Sequence, residues 1–520
     1  MSITRRRLRV WLRVAVAATV LAAPPRPVHA DAVAAGPNRP TLPGAHAPDL
    51  VLPPEPGPGF ALEFLWERTV SFAGKVLLSG SAADLDGDGR YEILLHGGRR
   101  NDPSGVVVLD GASGDALWRA DFPQRSCVVA ADVTGDGAAE VVVACGHELS
   151  VLDGATGERV RGTTLAGAIG DLVCARVCEL PGDGGPDGFG PGIVYTAGKK
   201  RDDVLAVLAG DDLRELWSRD AVSAAGPFAS GFTHPCALDV DGDGRDEILV
   251  AENGNHLLCL SGDGGLAWDV GLGRRERLNP EGVVSSAPVV ADFLGDGIPE
   301  LAVGCFAGAV VVMDARTGEV LDRLQFGVES HESHLTNSKI PRFIRDALRE
   351  TGEPVNCLTP AELDGGPGSE LVLGCSDGFL YAYDPGSGEV MWRFETRENV
   401  YDPCLLVGDM GEASRGADGE APAGAEADPS VDAQGGATFD LLLWDVEGVY
   451  LLDGETGSAR AGFDGVAGAA ALMACDLVGT SEPELVRISP VGGTVSAWLL
   501  AMSPGATSGP GDGGPETGDP

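Results

Sequence analysis

Short apolar runs, each bounded by clusters of Asp and Gly, recur along most of this chain. Ile93-Leu94-Leu95, Val106-Val107-Val108-Leu109, Val141-Val142-Val143, Ile248-Leu249-Val250 and Val311-Val312-Met313 are typical. Runs this short, rich in β-branched residues and closed by turn formers, predict strands rather than helices. They come in pairs. The first of a pair follows an acidic loop, as Ile93 follows Asp84-Leu85-Asp86-Gly87-Asp88-Gly89-Arg90-Tyr91-Glu92. The second leads through a D-G-x-T-G-like turn to a strand that often carries Trp: Leu109-Asp110-Gly111 to Trp118, Asp263 to Trp268, Tyr383-Asp384-Pro385-Gly386-Ser387-Gly388-Glu389 to Trp392. Each unit therefore predicts two hairpins, in the order strand A, acidic loop, strand B, strand C, turn, strand D.

The acidic loops begin at Asp84, Asp132, Glu179, Asp239, Asp292, Glu362, Asp409 and Asp476, at intervals of 47 to 70 residues. A four-stranded unit repeated at that spacing predicts propeller blades. The eighth unit runs out of chain after Trp498, one strand short. The missing strand is present at the other end, where Glu63-Phe64-Leu65-Trp66-Glu67-Arg68 resembles a Trp-bearing D strand. Threaded into the last blade, it would close the ring and leave no open sheet edge between the chain ends. The expected fold is all-β: an eight-bladed β-propeller over residues 61–503, closed by an N-terminal strand, with seven blades as the alternative.

Composition changes the picture at the edges. Hydrophobic residues are 43% of the 520, enough for a core, and the 76 Gly and 35 Pro follow no G-X-Y period, so they belong to turns. Arg5, Arg6, Arg7, Arg9 and Arg13 precede the apolar run Val14 to Ala23, and Val28-His29-Ala30 is an A-x-A-like cleavage site. Residues 1–30 read as a signal peptide of the general or twin-arginine type. The product is expected to be exported, periplasmic or secreted, with no membrane span. Residues 31–60 read as a Pro/Ala-rich linker and 504–520 as a disordered acidic tail. Insertions are expected at 322–356, where Ile340, Phe343, Ile344 and Leu348 fit a short amphipathic helix, and at 411–437.

The formal charge is −41, from 37 basic and 78 acidic residues. Such a chain repels nucleic acid and anionic lipid. The acids instead suit cations. Oxygen ligands at loop positions 1, 3 and 5 can surround a hard ion, Gly at 6 permits the turn, position 7 offers a carbonyl, and a carboxylate at 9 completes the shell. An EF-hand needs its acid at position 12, where this chain has Leu95 and Val250.

These loops resemble the FG-GAP/VCBS repeats of integrin α-subunit propellers, whose D-x-D-x-D-G-x-x-[DE] loops bind calcium. The second half of each unit resembles the PQQ-like repeats of quinoprotein dehydrogenases. The resemblance implies structural calcium held by Asp84, Asp86, Asp88, Arg90 (through its carbonyl) and Glu92, and by Asp239, Asp241, Asp243, Arg245 and Glu247. It extends to Asp132, Asp136 and Glu140, where Thr134 replaces the middle acid, and to Asp292, Asp296 and Glu300, where Leu294 does. In the remaining loops, including those at Glu179, Glu362 and Asp476, acids in Asx-turns without metal are the simpler expectation. No PQQ is expected, because that family's pocket carries adjacent cysteines and no two Cys adjoin here.

Eleven Cys is an odd number for an exported chain. Cys127 and Cys145, and Cys357 and Cys375, lie symmetrically about their loops. They either form cross-strand disulfides or fill buried positions that favour a small apolar residue.

No G-x-S-x-G, H-E-x-x-H or P-loop is present. His331-Glu332-Ser333-His334 reads as a polar pair in an insertion. In a propeller the acidic loops and D-G-x-T-G turns share one face. The other face collects Arg99, Arg100, Lys199, Lys200, Arg201, Arg274, Arg275 and Arg277, with Lys339, Arg342 and Arg345. These cations either pair locally with Asp102, Asp202 and Glu276 or form a rim for a protein or an anionic glycan. The expected function is that of a monomeric, calcium-stabilised binding module with no catalytic residues. The alternatives are an extracellular polysaccharide lyase or hydrolase and a periplasmic assembly scaffold.

Overall fold

The computed structural model describes residues 60–70, 77–97, 104–124, 126–165, 167–179, 189–198, 204–221, 232–241, 245–252, 256–272, 283–326, 354–396, 405–407, 440–444, 449–463, 471–475, 477, 484–489 and 494–502. Their strands form eight four-stranded antiparallel sheets, each taken from consecutive chain except the last. In blade 1, strands A to D are Leu77–Ala83, Glu92–Gly97, Ser104–Leu109 and Ala116–Phe122. Blades 2 to 7 span 126–164, 169–220, 232–271, 289–325, 355–395 and 405–463. Blade 8 takes A, B and C from Ala471–Cys475, Glu484–Ile488 and Thr494–Met502, and its D strand is Phe60–Thr69. The closing strand runs antiparallel to the C strand, with Phe60 opposite Met502 and Thr69 opposite Thr494. The molecule is an eight-bladed β-propeller without helices among the described residues.

Strands B and C are apolar without alternation because both faces are covered. Val141, Val142 and Val143 are all fully buried, as are Ile248, Leu249 and Val250. Each face packs on a neighbouring blade, so the core is a series of joints rather than one centre. Leu94 and Val106 of blade 1 pack with Val141 and Val143 of blade 2. Ile93, Leu95 and Val107 pack on the other side with Val486 and Ile488 of blade 8. The D strands are outermost and alternate in exposure, as in Ala116–Phe122. The A strands of neighbouring blades touch one another and line the centre.

A bulge recurs in all eight D strands. The register skips Leu65, Leu117, Val160, Leu216, Ala267, Leu321, Met391 and Arg460 in turn. The residue after each bulge is thereby aimed at the next blade. In five cases it is Trp. Its indole N–H donates to a carbonyl in the next C–D turn: Trp66 to Gly111 at 2.8 Å, Trp118 to Gly154 at 2.7 Å, Trp217 to Gly262 at 2.8 Å, Trp268 to Ala315 at 3.1 Å and Trp392 to Gly454 at 2.7 Å. The rings lie on left-handed glycines of those turns. A Cβ on Gly114 or Gly457 would come within 2.5 or 2.4 Å of the indole, and φ at both is positive (72° and 66°). Trp66 closes the ring twice over, in the blade 8 sheet and on blade 1.

Where the post-bulge residue is not Trp, the joint differs. Arg161 of blade 2 donates to Gly210 O at 3.3 Å. The glycine position of that turn is Leu213, which carries the strained φ of 59° and is buried. At the blade 5–6 joint Asp322 accepts a 2.7 Å hydrogen bond from Tyr383.

The structure corrects several expectations. Cys127 pairs with Ala144, and Ser126 with Cys145. Likewise Cys357 pairs with Gly374. Each cysteine pair is one residue out of register, which puts its side chains on opposite faces of the sheet, and the structure forms neither disulfide. The reason is the loop length. Eight residues separate Ala131 from its partner Glu140, so the hairpin centre lies half a residue from the one the cysteines share. The insertion expected at 322–356 is shorter, because Val320–Gln325 is the D strand of blade 5 and Val355–Ala361 opens blade 6. The helix expected within it, the segment 411–437, residues 1–59 and the tail from 503 lie outside the described residues.

Trp392, 3% exposed, is the buried case: Trp392→Ala should cost about 3–5 kcal/mol, as removal of large buried aromatics does, and should lower the Tm in a thermal scan. Deleting residues 60–69 should bare the blade 8 edge and shift the protein to oligomers in size-exclusion chromatography.

Candidate metal loops on the A–B face

The glutamate at loop position 9 is also the first residue of strand B, and it is buried. Glu92, Glu140, Glu247, Glu300, Glu370 and Glu484 are 4, 7, 4, 1, 2 and 0% exposed. One carboxylate oxygen reaches back across the loop to the amide of position 2. Leu85, Val133, Val240, Phe293, Leu363 and Leu477 donate to it at 2.8, 2.9, 2.9, 2.8, 2.5 and 2.6 Å. The side chain at position 2 is buried in the next blade: Leu85 beside Leu152, Phe293 beside Tyr383, Leu363 beside Leu452. The glutamate thus fixes a loop that also fastens one blade to the next.

Position 1 organises the rest. Asp84 accepts from Gly87 at 2.7 Å and Gly89 at 3.0 Å, and Asp132 from Gly135 at 2.6 Å and Gly137 at 2.9 Å. Gly87 and Gly89 have φ of 78° and 83°, so the loop needs glycine at position 4 as well as at 6.

Four loops bring three carboxylates together with oxygens within 4.8 Å of one another: Asp84, Asp86 and Glu92; Asp239, Asp241 and Glu247; Asp292, Asp296 and Glu300; Glu362, Asp364 and Glu370. Asp88 is not among them. Its carboxylate faces outward onto Arg90, whose guanidinium lies 2.7 Å away, and the amide and guanidinium of Arg90 hold it below its ordinary pKa. Arg245 stands beside Asp263, and Asp243 lies outside the described residues. Asp132, Asp136 and Glu140 form no such cluster, because Thr134 donates at 2.9 Å to the free oxygen of Glu140. The sixth loop was readable from Asp364 at position 3 and Glu370 at position 9. Gly366 in place of the acid at position 5 and Pro367 in place of the glycine at position 6 hid it.

Burial, with the neighbouring acids adding to it, pushes Glu92 up. The same causes push Glu300 and Glu370 up to about 7. Glu362 is raised too, and its Oε1 is sealed from solvent with no hydrogen-bond partner. Clustered carboxylates with a buried, unsatisfied oxygen fit a hard cation. Two oxygens bound to one calcium at 2.3–2.6 Å are at most about 5 Å apart, which the loops satisfy.

The cations expected to form a rim, Arg99, Arg100, Lys199, Lys200, Arg201, Arg274, Arg275 and Arg277, lie outside the described residues, as do Lys339, Arg342 and Arg345. Among the described residues no helix is long and apolar enough to cross a membrane. Of the described A-strand residues, Ala83, Val129, Ala131, Ala237 and Ala291 pack against the cores between blades.

The geometry defines a closed eight-bladed β-propeller with carboxylate-bearing hairpin loops on one face. Residues 100–338 match the model of the family described as Outer membrane protein assembly factor BamB, in keeping with the PQQ-like half-repeats. Rhamnogalacturonan endolyase YesW of Bacillus subtilis (strain 168) is 27% identical over 255 residues, which cover 38% of this chain and 40% of that protein. The chain thus spans about two fifths of the length of that curated relative. Sqt1 of Saccharomyces cerevisiae superposes with a TM-score of 0.54 at 12% identity, over 84% of this chain and 99% of its own. The biofilm matrix protein Bap1 of V. cholerae does so with a TM-score of 0.50 at 14% identity, over 85% and 91%. At such identities the solved structures bear on the fold alone.

Glu300 and Glu370 titrate near 7 in the folded chain against an ordinary 4.5. The folded state therefore holds more protons than the unfolded one between those values, and stability falls as pH rises through that window. In chelator, the Tm should be higher at pH 5.5 than at 7.5, and Glu300→Gln with Glu370→Gln should flatten the difference. An equal slope in the variant would show that these two groups are not its source.

Proposed function

We propose that this chain is an exported interaction module of the assembly-factor type, a propeller scaffold that binds a protein partner and is stiffened by calcium. The observation that carries the reading is the match of residues 100–338 to the BamB assembly-factor family. The partner surface is the B–C and D–A face, away from the acidic loops, and an anionic glycan is the other ligand that suits it. The chain acts as a monomer, with the signal peptide and linker removed or solvated at its N-terminal end.

Calcium in this reading is structural. Asp84, Asp86 and Glu92 hold one ion and Asp239, Asp241 and Glu247 another, with backbone carbonyls, Asp243 and water completing the shells as in the FG-GAP/VCBS loops they resemble. The clusters at Asp292 and Glu362 bring together as many carboxylates but depart from the resembled pattern at position 3 or 5, and the loop at Asp132 is weaker still. A filled oxygen shell leaves no coordination position for substrate, so the ion's work is to neutralise the loops and hold blades together.

A tagged mature chain should capture outer-membrane assembly proteins from a solubilised envelope fraction of its own host; recovery of none of them would remove the scaffold reading. Saturating calcium should raise the Tm, since an ion bound only to the folded state contributes about 2.7 kcal/mol at a hundred times its Kd. Asp84→Asn with Asp239→Asn should lose most of that rise.

The likeness to YesW favours a second reading, a lyase of acidic polysaccharide. Rhamnogalacturonan incubated with the protein and calcium should show no growth of absorbance from unsaturated products. Sustained growth would replace the scaffold reading with the lyase one.

A further inference from the structure

The C–D turn of blade 6 keeps the form that receives an indole elsewhere in this chain, yet among the described residues no indole covers it. Gly388 has the left-handed φ of 75° seen at Gly114, Gly157, Gly318 and Gly457. Its amide donates to Asp384 O at 2.9 Å, as Gly114 does to Asp110 O at 2.8 Å. At Gly114, Gly157, Gly264, Gly318 and Gly457 an added Cβ would meet a Trp ring at 2.5, 2.5, 2.8, 2.8 and 2.4 Å. At Gly388 it would meet nothing within 4 Å, and this glycine is exposed. The cause is Asp322 in the post-bulge position of blade 5, whose carboxylate turns inward to Tyr383. The blade 2–3 joint also lacks Trp, but there Leu213 and Arg161 cover the turn.

The surroundings say what would fit. Pro385 stands where Gly111, Gly154 and Gly454 present the carbonyl that accepts an indole N–H. Leu294, 38% exposed, replaces the aspartate of loops 1 and 4, and Leu321 beside Asp322 is 44% exposed. Loop 5 lies against this turn, with Phe293 O 3.6 Å from the Cβ position of Gly386. It is also bonded to loop 6 through Ser369 N and Asp292 O at 2.9 Å. Asp322 and Asp384 belong to this joint and turn, and the adjoining loops 5 and 6 carry the further acids Asp296 and Asp364. The place is continuous with the indole-filled joints of the same ring, and it differs from them in its acidic rim.

We propose that the uncovered turn of blade 6 is a docking site for a tryptophan of a partner polypeptide that carries Lys or Arg beside it. The ring would lie on Gly388 with its N–H toward the Pro385 carbonyl, and the basic neighbours would meet the acids of loops 5 and 6. The site is on the acidic-loop face, so it stands apart from the partner surface proposed above and does not depend on the assembly-factor reading.

The test is isothermal titration of the mature chain, without added metal, with acetyl-Lys-Trp-Lys-amide, acetyl-Lys-Ala-Lys-amide and acetyl-Glu-Trp-Glu-amide. The first should bind at least about tenfold more tightly than either of the others, the equivalent of about 1.4 kcal/mol. Gly388→Val fills the position from above and Asp322→Trp refills it with the chain's own indole. Each should abolish the preference while the variant keeps the near-ultraviolet circular dichroism of a folded ring. If Asp322→Trp does not fold, Gly388→Val alone decides. Equal binding of the three peptides, or an unchanged preference in a folded variant, would overturn the proposal.

Discussion

The contact on which this ring depends is the seating of one blade's outer strand on the next blade's turn. A four-stranded antiparallel sheet with both faces apolar cannot stand alone in water; each blade is stable only when covered on both sides. Apolar packing covers the faces but does not choose an angle. The indole does, because its flat ring needs a glycine beneath it and its N–H needs a carbonyl at one point. Five repeats of that geometry impose a constant rotation between blades, and a constant rotation is what closes a ring. The bulge before each docking residue turns the side chain out of its own sheet toward the neighbour. It also interrupts the edge that the D strand would otherwise offer to other chains.

The acidic loops belong to the same device. Their buried glutamate holds the amide of position 2, and position 2 is an apolar plug in the next blade. Electrostatics and packing are therefore coupled at one place: the carboxylates that repel one another are attached to the residues that fasten the joint. A cation would relieve that repulsion at the point where blade meets blade. The coupling accounts for a carboxylate burden this high in a chain whose core is ordinary, and it accounts for why the glutamate persists in loops, such as that of Glu484, that have lost most other acids.

The joint between blades 5 and 6 departs from the rule in a coordinated way. Asp322, Tyr383 and Phe293 take the places that other joints give to Trp or to smaller aliphatic residues. The interior stays full, with Phe326 and Tyr381 stacked edge-on to the same cluster, while the surface above it opens. Interior packing and surface shape are separable there, so a change that keeps the ring intact can still alter what the face presents.

Much was legible in the residues alone. The paired apolar runs, the acidic loops and the Trp-bearing turns revealed eight four-stranded units, and Trp66 near the start revealed how the last is completed. These are local patterns, each dictated by a period of two, a turn that needs glycine, or a strand covered on both sides. What the sequence could not express were half-residue and face-to-face relations. The cysteines were symmetric about a loop by counting, but hydrogen-bond register placed them on opposite faces. Asp88 matched a ligand pattern, but Arg90 drew it outward. Asp364 and Glu370 looked like remnants, but the hairpin brought them to Glu362. Which side chain meets which across a sheet or a joint depends on pairing and rotation between segments distant in the chain, and only the folded ring specifies those.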